Sequence, residues 1–172
     1  KDDIKIKDGG TIGVASAADA MTVSSAGIVT FKDDILIKDG GTIGVASDAD
    51  VITIASTGVT TFSKAVVGST DTDTSNTGSV TLDFNTNQNF VLTFTGNVTL
   101  ANPSTESVGQ TGVIICIQDG TGSRTLSLGT DYETVGGAGI TLSTAASAVD
   151  VIPYVVKASG SIQLGAPQLA FS

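Results

Sequence analysis

The chain has 172 residues, 40% of them hydrophobic and only 15% charged, with a formal net charge of −9. Its eight basic residues form no stripe, so a nucleic-acid backbone would find little to hold and nucleic acid is excluded as a partner. One cysteine and no histidine exclude an internal disulfide and the usual zinc sites, and no apolar run is long enough to span a bilayer, so membrane insertion is not expected.

Threonine, serine, valine and isoleucine dominate beside 21 glycines, a mixture that suits short strands joined by tight turns. Residues 1–31 and 32–62 align without a gap and match at 22 of 31 positions. Most differences at apolar positions keep an apolar residue, as in Met21 against Ile52, Val23 against Ile54 and Ile28 against Val59. Each repeat alternates apolar and polar residues in short pieces: Ile4 and Ile6, Ile12 and Val14, Met21 and Val23, then Ile28 and Phe31. The Asp-Gly of "KDGG" between such pieces is a hairpin signal, so each repeat reads as about four short strands. A unit this small cannot bury its apolar side chains alone. The expected remedies are further units upstream of Lys1 and identical chains wound together as a homotrimer, with Gly10, Gly13 and Ala15 allowing backbones to approach.

Residues 63–78, "SKAVVGSTDTDTSNTG", read as a linker or neck. Asp71, Asp73 and Ser75 have calcium-loop spacing, but the glycine and the closing glutamate are misplaced, so a solvated loop is the expectation and no cofactor or metal is assigned.

Residues 79–172 contain eight candidate strands: "SVTLDF", "NFVLTF", "NVTLA", "GVIICIQ", "RTLSL", "VIPYVV", "SIQL" and "QLAF". The run Val113–Ile117 is apolar on both faces, as in a central strand, and Cys116 within it reads as a small buried hydrophobe. Pro153 points to an edge strand or a bulge, and "TAASAVD" at 144–150 is the best helix candidate. The expected fold is all-β: the repeats 1–62 as an intertwined trimeric shaft, then an antiparallel, jelly-roll-like β-sandwich head.

Chemistry is scarce. Asp83, Asp119, Asp131, Glu133 and Asp150 are the candidate carboxylates for glycoside hydrolysis, but their surroundings single out no pair. A histidine-dependent triad is impossible and no phosphate loop is formed, so an enzyme is not expected. What remains is surface. "QDGTGSRT" reads as a hairpin tip carrying Asp119, Thr121, Ser123 and the only arginine, Arg124, and "NPSTESVGQTG" as a longer loop carrying Ser104, Thr105 and Glu106. These seven residues are the receptor-binding candidates.

The segments "LTFTGNVTLANP", "GQTG", "QDGTGSRTL" and "TAASAVDVIPYVV" within residues 90–156 resemble a C-terminal module of tail fibre and other virion structural proteins of tailed bacteriophages. The repeats resemble the β-repeats that precede such heads. The resemblance implies a trimeric, β-rich virion appendage outside the cell, with other virion proteins and a host surface glycan or protein as partners. It implies no enzyme. The function expected is the distal part of a tail fibre that adheres to the host. The rivals are a capsid decoration fibre without a receptor, a cellular surface filament or adhesin, and, ranked lowest, a depolymerising tailspike.

Overall fold

A computed structural model describes residues 6–171, which fall into two compact units, one ending at Val66 and the other beginning at Val67. The first unit holds two small sheets of the same design. Strands β1 (Gly10–Val14), β2 (Ala17–Val23) and β3 (Val29–Phe31) form one antiparallel sheet; β4 (Gly41–Val45), β5 (Asp48–Ile54) and β6 (Thr60–Phe62) form the other. The second repeat thus has three strands, not four, and the described residues of the first form three. The segment around Ile35 and Ile37 is not a strand; of its counterpart in the first repeat, Ile4 lies outside the described residues.

The hairpins also turn elsewhere than expected. Val14 pairs with Ala17 and Val45 with Asp48, so Ala15-Ser16 and Ala46-Ser47 make the reversals. The Asp-Gly turn instead feeds the chain into β1. Gly9 takes φ +69°, where a side chain is disfavoured, and its N–H donates to the Val23 carbonyl at 3.1 Å. Gly13 was expected to serve contacts between chains. It is needed within one chain, because a Cβ there would collide with the backbone of Ala17 and Ala18.

Register gives each small sheet two unlike faces. Ile12, Met21 and Phe31 form one cross-strand row, and Val23 and Val29 flank it on the same side; Thr11, Thr22 and Thr30 form the row on the other face. The second sheet repeats this with Ile43, Ile52 and Phe62 against Thr42, Thr53 and Thr61.

The second unit carries one eight-stranded sheet: β7 (Thr70–Thr81), β8 (Asn89–Ala101), β9 (Thr111–Gln118), β10 (Leu126–Leu128), β11 (Tyr132–Glu133), β12 (Val149–Ala158), β13 (Ser161–Leu164) and β14 (Gln168–Phe171). Residues 70–78 of the segment read as a linker therefore lie in β7. The sheet is mixed, not antiparallel. β7 with β8, β8 with β9, β8 with β10, and β11 with β13 are parallel, and β12 pairs antiparallel with β9, β13 and β14.

The parallel register dictates a bend. Thr70 sits beside Asn89 and Thr81 beside Ala101, yet only Leu82–Gln88 joins β7 to β8. A straight strand of 12 residues would be roughly 36 Å long, and that connection reaches at most about 29 Å. Both strands must therefore turn a corner midway, where the register slips between Asp73 and Gly78. The chain winds in three stacked coils: β7, then β8, then β9 followed by β10. Buried Asn76 holds the corner, donating through Nδ2 to the carbonyls of Asp73 (3.1 Å) and Thr93 (3.2 Å).

Inward rows stack across the coils. Phe90, Ile114 and Ile152 make one row, and Leu92, Cys116 and Asp150 the next. On β7 the same rows end in half-buried Asp71 and exposed Asp73, charges that discourage further strand addition. Phe84, Phe90 and Tyr154 pack with ring centroids 5.0–6.4 Å apart. Burial, reinforced by the Asp150 carboxylate, pushes the Cys116 thiol up to about 12, so it stays protonated and inert.

Pro153 is not on an edge strand, since β12 pairs on both sides. Its carbonyl accepts from Gly165 N at 2.8 Å, in the gap between β13 and β14, and its missing N–H faces that same gap. Residues 144–148 form a turn closed by Ala148 N on Ala145 O, not a helix.

Candidate functional site

The loop after β9 is the enlarged corner of the third coil. Gln118 is buried and closes it from inside: its Nε2 donates to Arg124 O at 2.9 Å, and Arg124 N donates to its Oε1 at 2.8 Å. Asp119 then serves as a hub. Its Oδ1 accepts from the N–H groups of Thr121 and Gly122, both at 2.9 Å, and its Oδ2 from Arg124 Nε (3.1 Å) and Nη2 (2.7 Å). The Arg124 guanidinium, followed by the Gly122 N–H, lowers the Asp119 carboxyl to about 2. The two side chains are only 26% and 20% exposed. An exposed hairpin tip would offer Arg124 to outside groups; here its charge is turned back onto the loop. Thr121 and Ser123 face outward, Ser123 with φ +61°.

The loop after β8 is the return stretch of the second coil. Thr105 Oγ1 accepts from Phe84 N at 3.0 Å, and Glu106 Oε1 accepts from Gly160 N at 2.8 Å. Gln110 Nε2 donates to the carbonyls of Phe84 (3.0 Å) and Asn87 (2.9 Å). Ser104 is exposed. The two candidate loops are tied to different neighbours, the first to Asn97 and Thr144, the second to Phe84 and Gly160. They do not build one site through hydrogen bonds.

Asp71, Asp73 and Ser75 lie in β7, so no loop wraps them around a cation. Asp73 Oδ1 accepts from Ser75 N at 3.0 Å. Among the described residues no group of three or more acidic, histidine or cysteine side chains is placed to hold a metal. Of the other carboxylates, buried Asp150 is a structural anchor. It accepts from Ser143 N (2.6 Å), Ser143 Oγ (2.7 Å) and Ala170 N (2.8 Å).

Glu133 stands apart. It takes Ser161 Oγ at 2.6 Å on Oε1 and Lys157 Nζ at 2.9 Å on Oε2, with Gln163 Nε2 at 3.4 Å. The Ser161 hydroxyl, then Lys157, hold its carboxyl below the usual range. Two adjoining clefts, of about 490 and about 790 Å³, share Glu133 and Thr134 in their walls. Nothing in the local sequence marks this cluster, because Lys157, Ser161 and Gln163 lie 24 to 30 residues away along the chain.

A family model described as "Putative phage tail fibre C-terminal domain" matches residues 74–161, just over half of the chain. The chain belongs to this family. Its matched part runs from the middle of β7 to the start of β13 and takes in part of the first coil and all of the second and third. A tail fibre protein is a structural part of the phage particle, carried on an appendage outside the cell and associated with other virion components. No helix among the described residues is long and apolar enough to cross a membrane. No curated protein and no solved structure matches the chain.

Proposed function

We propose that this chain is the distal part of a homotrimeric tail fibre, with the repeats as a shaft and the coiled unit as a head that adheres to a glycan or protein of the host surface. The reading is of a structural adhesin, not an enzyme. One observation carries it. Among the described residues up to Val66, Gly10 alone is buried, and no side chain is. Ile12, Val14, Phe31, Ile43, Val45 and Phe62 are all 44–66% exposed.

A single chain does not hold such sheets. Ordering the backbone of one repeat costs on the order of 30 kcal/mol or more. A three-stranded sheet needs a covered apolar face to meet that cost. Each sheet here has one such face, and among the described residues of this unit no side chain on it is buried. Three chains about one axis would bring three copies of the face together and leave the threonine rows in water. Three heads on one shaft would also act together on a repetitive surface, raising avidity above that of one weak site.

Light scattering on the purified chain tests the assembly. A mass three times the 17.1 kDa of one chain is expected, and a stable monomer would refute the shaft. Binding of fluorescent protein to host cells tests adhesion; protein that assembles but never binds would belong to a decoration fibre instead.

A further inference from the structure

We propose that the outer face of strands β8, β9 and β12 is a contact between heads, filled by the same face of the sister chains in one fibre. This rests on the trimeric reading and adds to it a second place, apart from the repeats, where the chains meet. Register builds the face. Phe90, Ile114 and Ile152 point inward; Val91, Ile115 and Val151 form the outward row beside them, which ends in Thr72 on β7 and Gln168 on β14. The next outward row runs Thr93, Ile117, Val149 and Phe171, and on the other side Val113 lies beside Pro153.

Strands that are apolar on both faces are normally covered on both, and parallel pairs such as β8 and β9 seldom leave one face to water. The inner row obeys this: Phe90, Ile114 and Ile152 are each 0% exposed. None of the apolar side chains in the outward rows is buried, and Phe171 is exposed. An apolar centre rimmed by threonine and glutamine has the anatomy of a protein contact.

Charge and area both name the occupant. The formal charge of −9 makes two copies of the chain repel one another over much of their surface. The outward rows carry no charged side chain, so copies can meet there without that penalty. Three strands about 4.8 Å apart and three rows about 7 Å apart give an apolar patch of roughly 300 Å². An independent partner needs about 800 Å² on each side for a stable complex. A sister chain needs far less. Chains already joined through their repeats hold their heads at about millimolar effective concentration, so a small patch suffices. Sheet faces of β-branched side chains also interdigitate well with one another.

The test uses the full chain with the variants Val151→Asp and Ile115→Thr, and Ser127→Asp as the control. Ser127 is exposed on β10, so the control adds the same charge away from the face. Light scattering follows the trimer–monomer equilibrium in a dilution series, at the urea concentration where the parent begins to dissociate, and the head's melting temperature is recorded alongside. Val151→Asp should weaken the trimer more than about a hundredfold, because like charges would be brought together at the contact. Ile115→Thr, which keeps a β-branched side chain, should weaken it by about tenfold or more, and Ser127→Asp should leave it unchanged. If the parent is trimeric and both face variants dissociate as it does, the face is not a contact and the trimeric reading stands. If they keep the trimer but lower the head's melting temperature, the face is covered by its own chain and the proposal is overturned. If the parent is a monomer at every dilution, the trimeric reading and the face fall together.

Discussion

Replacing Phe31 with serine removes the largest side chain of the first small sheet, and the proposed trimer predicts the consequence. Phe31 is 44% exposed in one chain. A phenylalanine has roughly 200 Å² to bury, so about 90 Å² remains for a partner to cover. At about 25 cal/mol per Å² that is about 2 kcal/mol per chain, or about 6–7 kcal/mol for three chains. The trimer–monomer equilibrium should then shift by four to five orders of magnitude, on the order of tenfold per 1.4 kcal/mol. Light scattering across a dilution series reads the shift directly. Phe90→Ala is the control: Phe90 is fully buried among the coils, and its loss should cost about 3–5 kcal/mol of head stability without dissociating the shaft. If Phe31→Ser leaves the mass unchanged at every dilution while Phe90→Ala lowers the head's melting temperature, the apolar face does not hold the chains together.

Acid should loosen the loop after β9. The Asp119 carboxyl titrates near 2 in the folded chain, below its ordinary 3.8, so its contribution is complete above about pH 4 and is lost as pH falls through 2. Amide exchange at Thr121 and Gly122 should accelerate in that window, and Asp119→Asn should abolish the dependence. Tyr132→Phe should leave stability unchanged or raise it by about 1 kcal/mol, because the Tyr132 hydroxyl is buried without a partner; a loss above about 1 kcal/mol would show that the hydroxyl is satisfied in solution. Asp150→Ala should cost about 2–4 kcal/mol by stranding buried donors, and exchange at Ala170, whose N–H it accepts, should rise first.

Which residues face inward was legible wherever alternation ran clean. Phe90, Leu92 and Phe94 are buried as their spacing indicates, and so are Val98 and Leu100. Cys116 between two isoleucines is buried too. The duplication declared itself, and the two sheets share one register, residue for residue. The strand partners were not legible. Turn-forming residues at 76–78 and 95–97 mark hairpins and coil corners equally well, and here they stack as corners because Asn76 caps two carbonyls across the bend.

The candidate site was legible only as loops. Arg124 lies five residues from Asp119, within reach of it or of solvent, and its sequence does not say which. The Glu133 cluster needed β11 laid beside β13, a pairing made across some 30 residues.

By itself, then, the order of residues determined that the chain is rich in strands, the apolar rows, the repeat, and the family to which the chain belongs. A period of two assigns each side chain to a face, and that holds whichever neighbour the strand acquires. Tertiary structure alone decided that β7, β8 and β9 run parallel, that Arg124 turns inward, and that Glu133 meets Lys157, Ser161 and Gln163. Backbone hydrogen bonds join strands without regard to side-chain identity, so partner choice came from how the coils close over Phe90 and Ile114, a contact between residues distant in the chain.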